Sequence, residues 1–296
     1  MKIKKTLRSI LGLTLVFCML SAAGCSSNEE TTETTGDAVV EKPIIAVTIV
    51  PQQAFVEAVC GDLAEVIVMV PPGNSPGNYE PTPEQMEQLA DASIYFTIGI
   101  PTETANILPE IPDITAISLQ DAVSAAYPDR TFVSGSRDPH IWLSPKRAIV
   151  MVEAIAQAMI ELDAANTEVY QENADAYIAQ LEELDAEIAA TFEGLTNKDF
   201  IVYHPAFGYF ADDYGLTMYA LEESGKDATP EALQDMVDLA NEKDIKVIYS
   251  QAEIDSSQVA AFAEEIGGTS VQLDPLSGDY INNLKNMAET LAGAMQ

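Results

Sequence analysis

Eight short runs of apolar, largely β-branched residues recur between positions 43 and 273, and this recurrence narrows the fold more than any other feature. They stand at 43–50 (PIIAVTIV), 64–70 (AEVIVMV), 93–99 (SIYFTIG), 114–119 (ITAISL), 199–203 (DFIVY), 216–221 (LTMYAL), 245–250 (IKVIYS) and 269–273 (TSVQL). Runs without polar alternation suit strands of parallel sheet that are covered on both faces. Segments with helix-start chemistry lie between them. Thr82 and Pro83, with Gln85 three residues past the threonine, have the spacing of a capping box. Ser144-Pro145 opens a stripe of Ile149, Val152, Ala156 and Met159, and Thr229-Pro230 opens one of Leu233, Met236, Val237 and Ala240.

The strands divide four and four, and the stretches beginning TPEQMEQLA and TPEALQDMVDLA look like one unit used once in each half. Residues 166–193 contain neither Gly nor Pro and are rich in helix formers. They predict a single helix about 40 Å long. The fold class expected is therefore α/β: two similar lobes, each a four-stranded parallel sheet flanked by helices, joined by one long rigid helix. The boundaries read as 43–165 for the first lobe, 166–195 for the connecting helix and 196–296 for the second. A single stiff helix between lobes predicts limited hinge motion.

The amino terminus has a different character. Lys2, Lys4, Lys5 and Arg8 precede the apolar run 10–20, which closes on SAAGC. This is the layout of an export signal and is too short for a stable spanning helix. Cys25 directly after Ala22-Ala23-Gly24 is similar to a bacterial lipobox, with 1–24 removed and Cys25 lipidated. Leucine is the usual residue where Ala22 stands, so ordinary cleavage near Ala23 is the alternative. Residues 25–42 are polar and acidic and read as a flexible tether reaching roughly 50 Å at most. With Cys18 cleaved away and Cys25 acylated, Cys60 stands alone of the three cysteines, which leaves no disulfide framework. Its apolar surroundings make it a small buried hydrophobe.

The formal charge of −33 argues against nucleic acid, whose phosphates need a basic face. It fits a solvated surface better than an acidic binding face. Histidine is rationed: the chain has only two, His140 in DPHIWLSP and His204 in VYHPAFGYF. Ligands of parallel α/β sheets bind outside the carboxyl ends of the strands. His204 follows the run 199–203 and Asp274 follows 269–273, while His140 precedes a helix start. Two imidazoles and one carboxylate suit Zn²⁺, whereas Mn²⁺ prefers more oxygen. Ordinary structural roles also fit these residues. A histidine beside a helix start is often a hydrogen-bonded anchor, an Asp before Pro is a natural turn residue, and Trp142 suits packing.

The motifs PPGNSPGNYEPTP, IGIPTETANIL, DPHIWLSP, YQENADAYIAQLEELD, YHPAFGYFADDYGL and QLDPLSGDYINNL resemble the metal-binding lipoproteins that deliver zinc or manganese to bacterial ABC importers. That family includes the zinc-uptake and adhesin-type receptors, and the likeness covers 43–296. It implies a metal between two lobes, a membrane-anchored lipoprotein outside the cytoplasm, a monomer, and an ABC permease as partner. His140 matches the family's second ligand, His204 its third and Asp274 its acidic ligand. Histidine rather than glutamate at 204 resembles the zinc branch.

The family's first ligand is a histidine where this chain has Gly77. Water, Asn78, Glu80, Gln251 or Glu253 are the substitutes within reach of the right loops. A site with an open position is also the pattern of catalytic zinc, and Glu80 or Glu253 would then have to act as base. No HExxH-type signature accompanies them, so the resemblance implies a receptor and not an enzyme. A degenerate member of the family, binding another solute or serving as an adhesin, is the remaining alternative.

Overall fold

The computed structural model describes residues 42–222, 225–254 and 257–295. The export signal, Cys25 and all but the last residue of the tether lie outside the described residues. The first sheet contains β1 (Ile44–Val47), β2 (Glu65–Val68), β3 (Ile94–Thr97) and β4 (Ala116–Ser118) in the order β2-β1-β3-β4. The second contains β5 (Asp199–Val202), β6 (Thr217–Ala220), β7 (Val247–Gln251) and β8 (Thr269–Leu273) in the order β6-β5-β7-β8. All pairings are parallel. Both halves use one topology, as the repeated Thr-Pro-Glu unit suggests.

Each strand falls on one of the eight apolar runs, β7 passing the end of its run by Gln251, but most are shorter than the run, and the first shows why. After Val47 the side chain of Gln52 accepts from the backbone N–H groups of Thr48 and Ile49, at 3.0 Å each. That turns the chain into α1 (Val50–Cys60) with Pro51 in its first turn. Cys60 ends α1 fully buried, and burial pushes its thiol up to about 12.

The expected caps form. In α2 (Pro83–Ala90), Thr82 Oγ1 accepts from Gln85 N at 3.3 Å and Gln85 Oε1 accepts from Thr82 N at 2.9 Å. The next helices are α3 (Leu119–Ala126) and α4 (Pro145–Leu162), the latter capped by Ser144 Oγ accepting from Arg147 N at 3.3 Å. The buried face of α4 is broader than its expected stripe, and Ile149 lies half-buried at its edge.

Helix α5 (Thr167–Thr191) has 25 residues, which by helical rise makes it about 38 Å long. Its buried stripe is Tyr170, Ala174, Leu181, Leu184 and Ile188. The chain continues through α6 (Gly208–Tyr214), α7 (Pro230–Glu242), α8 (Ser257–Glu265) and α9 (Tyr280–Gly293). One apolar core runs without a break from β1 and α1 through α4 and α5 into α6, β5 and α9. Phe55 of α1 meets Tyr280 of α9 edge to face, with centroids 4.8 Å apart.

Buried polar bonds stitch the two halves at the floor of the cleft. Trp142 Nε1 donates to the Pro275 carbonyl at 2.9 Å, and Tyr280 OH donates to the Trp142 carbonyl at 2.6 Å. Arg147 reaches from α4 to both oxygens of Asp213 in α6, at 2.9 Å each, with its guanidinium 4.4 Å from the Tyr209 ring centroid. Opening the halves like a hinge would expose this shared core and break these bonds. The architecture therefore holds a cleft of nearly fixed width.

Candidate metal centre

The cleft has a volume of about 790 Å³ and lies at the carboxyl ends of the strands, between the two sheets. Its walls come from the loops after β2 (Ser75 to Gly77), β3 (Gly99 to Pro101), β5 (His204 to Ala206) and β7 (Glu253, Ile254). The segment 132–142, Glu222 and Gly225 after β6, and Pro275 and Leu276 after β8 also line it.

His140 is positioned by the residue two places before it. Pro139 fixes the bend, and Asp138 Oδ1 accepts from both the backbone N–H of His140, at 3.0 Å, and its ring Nδ1–H, at 2.7 Å. Asp138 is itself 2% exposed and is held from its other side by Arg130, whose Nε lies 3.7 Å away. Tyr209 OH donates to the Asp138 carbonyl at 3.1 Å.

His204 is positioned by strand register. Val202 pairs with Ala220, and the ladder continues with Glu222 N donating to the Tyr203 carbonyl at 2.9 Å. The same offset carries Glu222 to the side of His204. There His204 Nδ1–H donates to Glu222 Oε2 at 2.8 Å, while Glu222 Oε1 accepts from Gly225 N at 2.8 Å.

A carboxylate only accepts, so each imidazole donates its Nδ1–H to its own carboxylate and turns Nε2 into the cleft. The two Nε2 atoms lie 3.2 Å apart. Lone pairs facing at that distance repel unless something positive stands between them. A tetrahedral ion with Zn–N bonds of about 2.0–2.1 Å separates two nitrogens by about 3.3–3.4 Å, so the pair is spaced as ligands of one ion. His140 is kept below the ordinary imidazole value by burial, which outweighs the opposing pull of Asp138.

The structure brings the two histidines together but does not bring Asp274 to them. Asp274 is exposed, and its Oδ1 accepts from the Leu276 N–H at 3.0 Å, the turn that Asp-Pro favours. Among the described residues no three His, Cys, Asp or Glu side chains form a group ready to hold a metal ion. Gly77 is on the cleft wall. Of its possible substitutes, Gln251 and Glu253 line the cleft, whereas Asn78 and Glu80 are exposed and do not. Glu253 is half-buried, and burial, then the nearby charge of Asp274, raises its carboxyl above the usual range. Trp142 packs as expected and also flanks the site, its ring 5.1 Å from that of His140.

Reading the sequence alone misses Asp138 and Glu222. The first was signalled by its place beside Pro139 in Asp-Pro-His. The second had no local signal, because only the β5–β6 register brings it to His204.

A family model described as zinc-uptake complex component A, periplasmic, matches residues 45–294. The chain belongs to this family. Its members are extracytoplasmic solute-binding receptors of metal-importing ABC systems and not enzymes. The high-affinity zinc uptake system protein ZnuA of Bacillus subtilis (strain 168) is 30% identical over 279 residues, covering 88% of this chain and 86% of that protein. The manganese-binding lipoprotein MntA of Halalkalibacterium halodurans is 25% identical, with 84% and 82% covered. A crystal structure of a ZnuA protein superposes with a TM-score of 0.81 at 33% identity, over 86% of this chain and 100% of that one. The two-sheet architecture with its long helix is thus the family fold.

Proposed function

We propose that this chain is a membrane-tethered receptor that captures Zn²⁺ between its lobes and hands it to the permease of an ABC importer. One observation carries the reading: the His140 and His204 Nε2 atoms converge at 3.2 Å, each imidazole being pinned through Nδ1 to its own carboxylate. A histidine ligand donating its second N–H to a carboxylate is the arrangement that fixes tautomer and raises basicity at metal sites. Two neutral nitrogens as the leading donors favour zinc over manganese. On this reading 43–165 and 196–296 are the lobes that share the ion, 166–195 sets their spacing, and the protein works as a monomer. Asp274 joins as the acidic ligand when it exchanges its turn hydrogen bond for the metal.

The anchor is Cys25, acylated after removal of 1–24, with 25–42 as tether. Among the described residues no helix is long and apolar enough to cross a membrane. Fractionation of cells producing the wild type and Cys25→Ala checks this, the variant being expected to leave the membrane fraction.

The central test is a competitive zinc titration of the metal-stripped protein beside His140→Ala, His204→Ala and Gly77→His. The expected result is one site in the wild type, lost in both alanine variants and tightened in Gly77→His. A side chain at 77 has room, since an added Cβ would meet nothing closer than Ser75 Oγ at 3.9 Å. Absence of saturable zinc binding in the wild type would refute the proposal.

A further inference from the structure

The carboxylate behind His140 has two oxygens, and only one of them serves the imidazole. Asp138 Oδ1 takes both N–H groups of His140, whereas Oδ2 faces the guanidinium of Arg130, whose Nε lies 3.7 Å away. That Nε is buried and, among the described residues, has no hydrogen-bond acceptor. It meets Asp138 through charge alone.

The contact is built into the fold. Gly208 leaves the space for it, since a Cβ there would fall 2.5 Å from Arg130 Nε and 2.9 Å from Asp138 Oδ2. The Tyr209 hydroxyl accepts from Arg130 N at 2.9 Å and donates to the Asp138 carbonyl at 3.1 Å, so one side chain of α6 ties down both backbones. At its other end the guanidinium pairs through Nη1 with Asp212, an exposed residue of α6. Arg130 therefore shares one positive charge between two carboxylates, one behind a ligand and one on the surface. A carboxylate that polarises a ligand imidazole raises its basicity toward the metal. A cation on the far side of that carboxylate opposes the polarisation. The facing atoms are out of water, where such an effect is weakly screened.

We infer that Arg130 is a positioning residue that acts through Asp138 to hold the zinc affinity of the His140–His204 site below its maximum, with Asp212 setting how much of its charge Asp138 feels. Such a limit suits a receptor that must give up its ion. The inference rests on the assignment of His140 and His204 as the metal site.

The test is chelator competition for zinc by the wild type, Arg130→Gln, Arg130→Lys and Asp212→Asn, at about 0.05 and 0.5 M salt. A change directly behind a ligand alters affinity about 10–100-fold. One contact further out, Arg130→Gln should tighten binding about three- to tenfold and Arg130→Lys should return it close to the wild-type value. Asp212→Asn leaves the whole charge to Asp138 and should weaken binding. The gain in Arg130→Gln should persist at the higher salt, which screens surface charges but not the buried contact. A second readout needs no metal. The chain has only two histidines, so NMR resolves their ring N–H protons, and the His140 Nδ1–H resonance should move downfield in Arg130→Gln as its bond to Asp138 strengthens. Equal or weaker zinc binding by a folded Arg130→Gln, a gain that vanishes at high salt, or an unmoved resonance overturns the inference while leaving the receptor reading intact. If Arg130→Gln does not fold, Asp212→Asn decides, and unchanged or tighter binding by it overturns the inference. No saturable zinc binding by the wild type refutes the receptor reading itself, and the inference with it.

Discussion

Replacing Asp138 by Asn tests whether the carboxylate behind His140 belongs to the metal site or only to the fold. Asp138 Oδ1 accepts from His140 Nδ1 at 2.7 Å and from its backbone N–H at 3.0 Å, and the side chain is almost fully buried. Asparagine keeps the shape but loses the charge. If its oxygen faces the ring, the Nδ1–H tautomer survives and the imidazole is a weaker donor. If its NH₂ faces the ring, Nδ1 must accept and Nε2 takes the proton, which blocks coordination. Removing such a partner typically costs 10–100-fold in metal affinity, or about 1.4–2.8 kcal/mol. The assay is competition for zinc against a fluorescent chelator near neutral pH, with Trp142 emission as an internal reporter 5.1 Å from the ring. Urea unfolding of the metal-free variant runs beside it, because Asp138 also faces Arg130. Zinc affinity unchanged while the fold is intact would refute the role assigned to this carboxylate. A loss in stability with no loss of affinity would assign Asp138 to the fold alone.

Three further outcomes are expected. In Gly208→Ala the new Cβ would lie 2.5 Å from Arg130 Nε and 2.9 Å from Asp138 Oδ2. Arg130 can swing aside but the buried Asp138 cannot, so urea unfolding should show a loss of about 1–3 kcal/mol, together with weaker zinc binding. Glu103→Ala leaves the N–H groups of Ile98 and Gly99 and the Thr48 hydroxyl without their buried acceptor, and should cost about 2–5 kcal/mol in the same measurement. The third concerns pH. Burial lowers the His140 value, so below the ordinary 6.5 the unfolded chain binds a proton that the folded chain refuses. Zinc-free stability therefore falls as pH drops from that point through the lowered folded value. His140→Asn should flatten this part of the thermal-melting profile, and zinc affinity in the wild type should fall on acidification because ligand histidines must be neutral.

What the sequence makes legible is what short-range chemistry decides. The eight apolar runs find their strands because a continuous β-branched run marks a strand locally, although only the central strands β1, β3, β5 and β7 are mainly buried and the edge strands β2, β4, β6 and β8 are half-exposed. Thr82, Ser144 and Thr229 cap helices because the cap is made within three residues. The His140 side of the site is half-legible for the same reason, since Asp138, Pro139 and His140 complete their bonds among themselves. Glu222 is different. It reaches His204 only through the pairing of β5 with β6, and nothing within 217–222 says which strand lies beside it. The stitches under the cleft are just as invisible. Trp142 to Pro275 and Arg147 to Asp213 join residues 133 and 66 apart in sequence. These bonds, and not the connecting helix alone, hold the halves at fixed spacing.

Asp274 is claimed by a topological expectation and by a local geometry at once. The rule that ligands gather at the carboxyl ends of strands places it beyond β8, at the correct end of the sheet. The metal-free geometry spends its carboxylate on the Leu276 N–H. That bond, to a charged acceptor, is worth about 1.5–3 kcal/mol net, and exposure to water weakens it further. A full set of four ligands in zinc-finger peptides contributes about 10–16 kcal/mol, a few kcal/mol for each ligand, so an ion arriving between His140 and His204 can compete for the carboxylate and draw it out of its turn. Zinc affinity of Asp274→Asn measures that exchange directly. A loss comparable to that of His204→Ala would make Asp274 a ligand recruited by the metal. An affinity equal to wild type would make it a turn residue, leaving water to complete the ion.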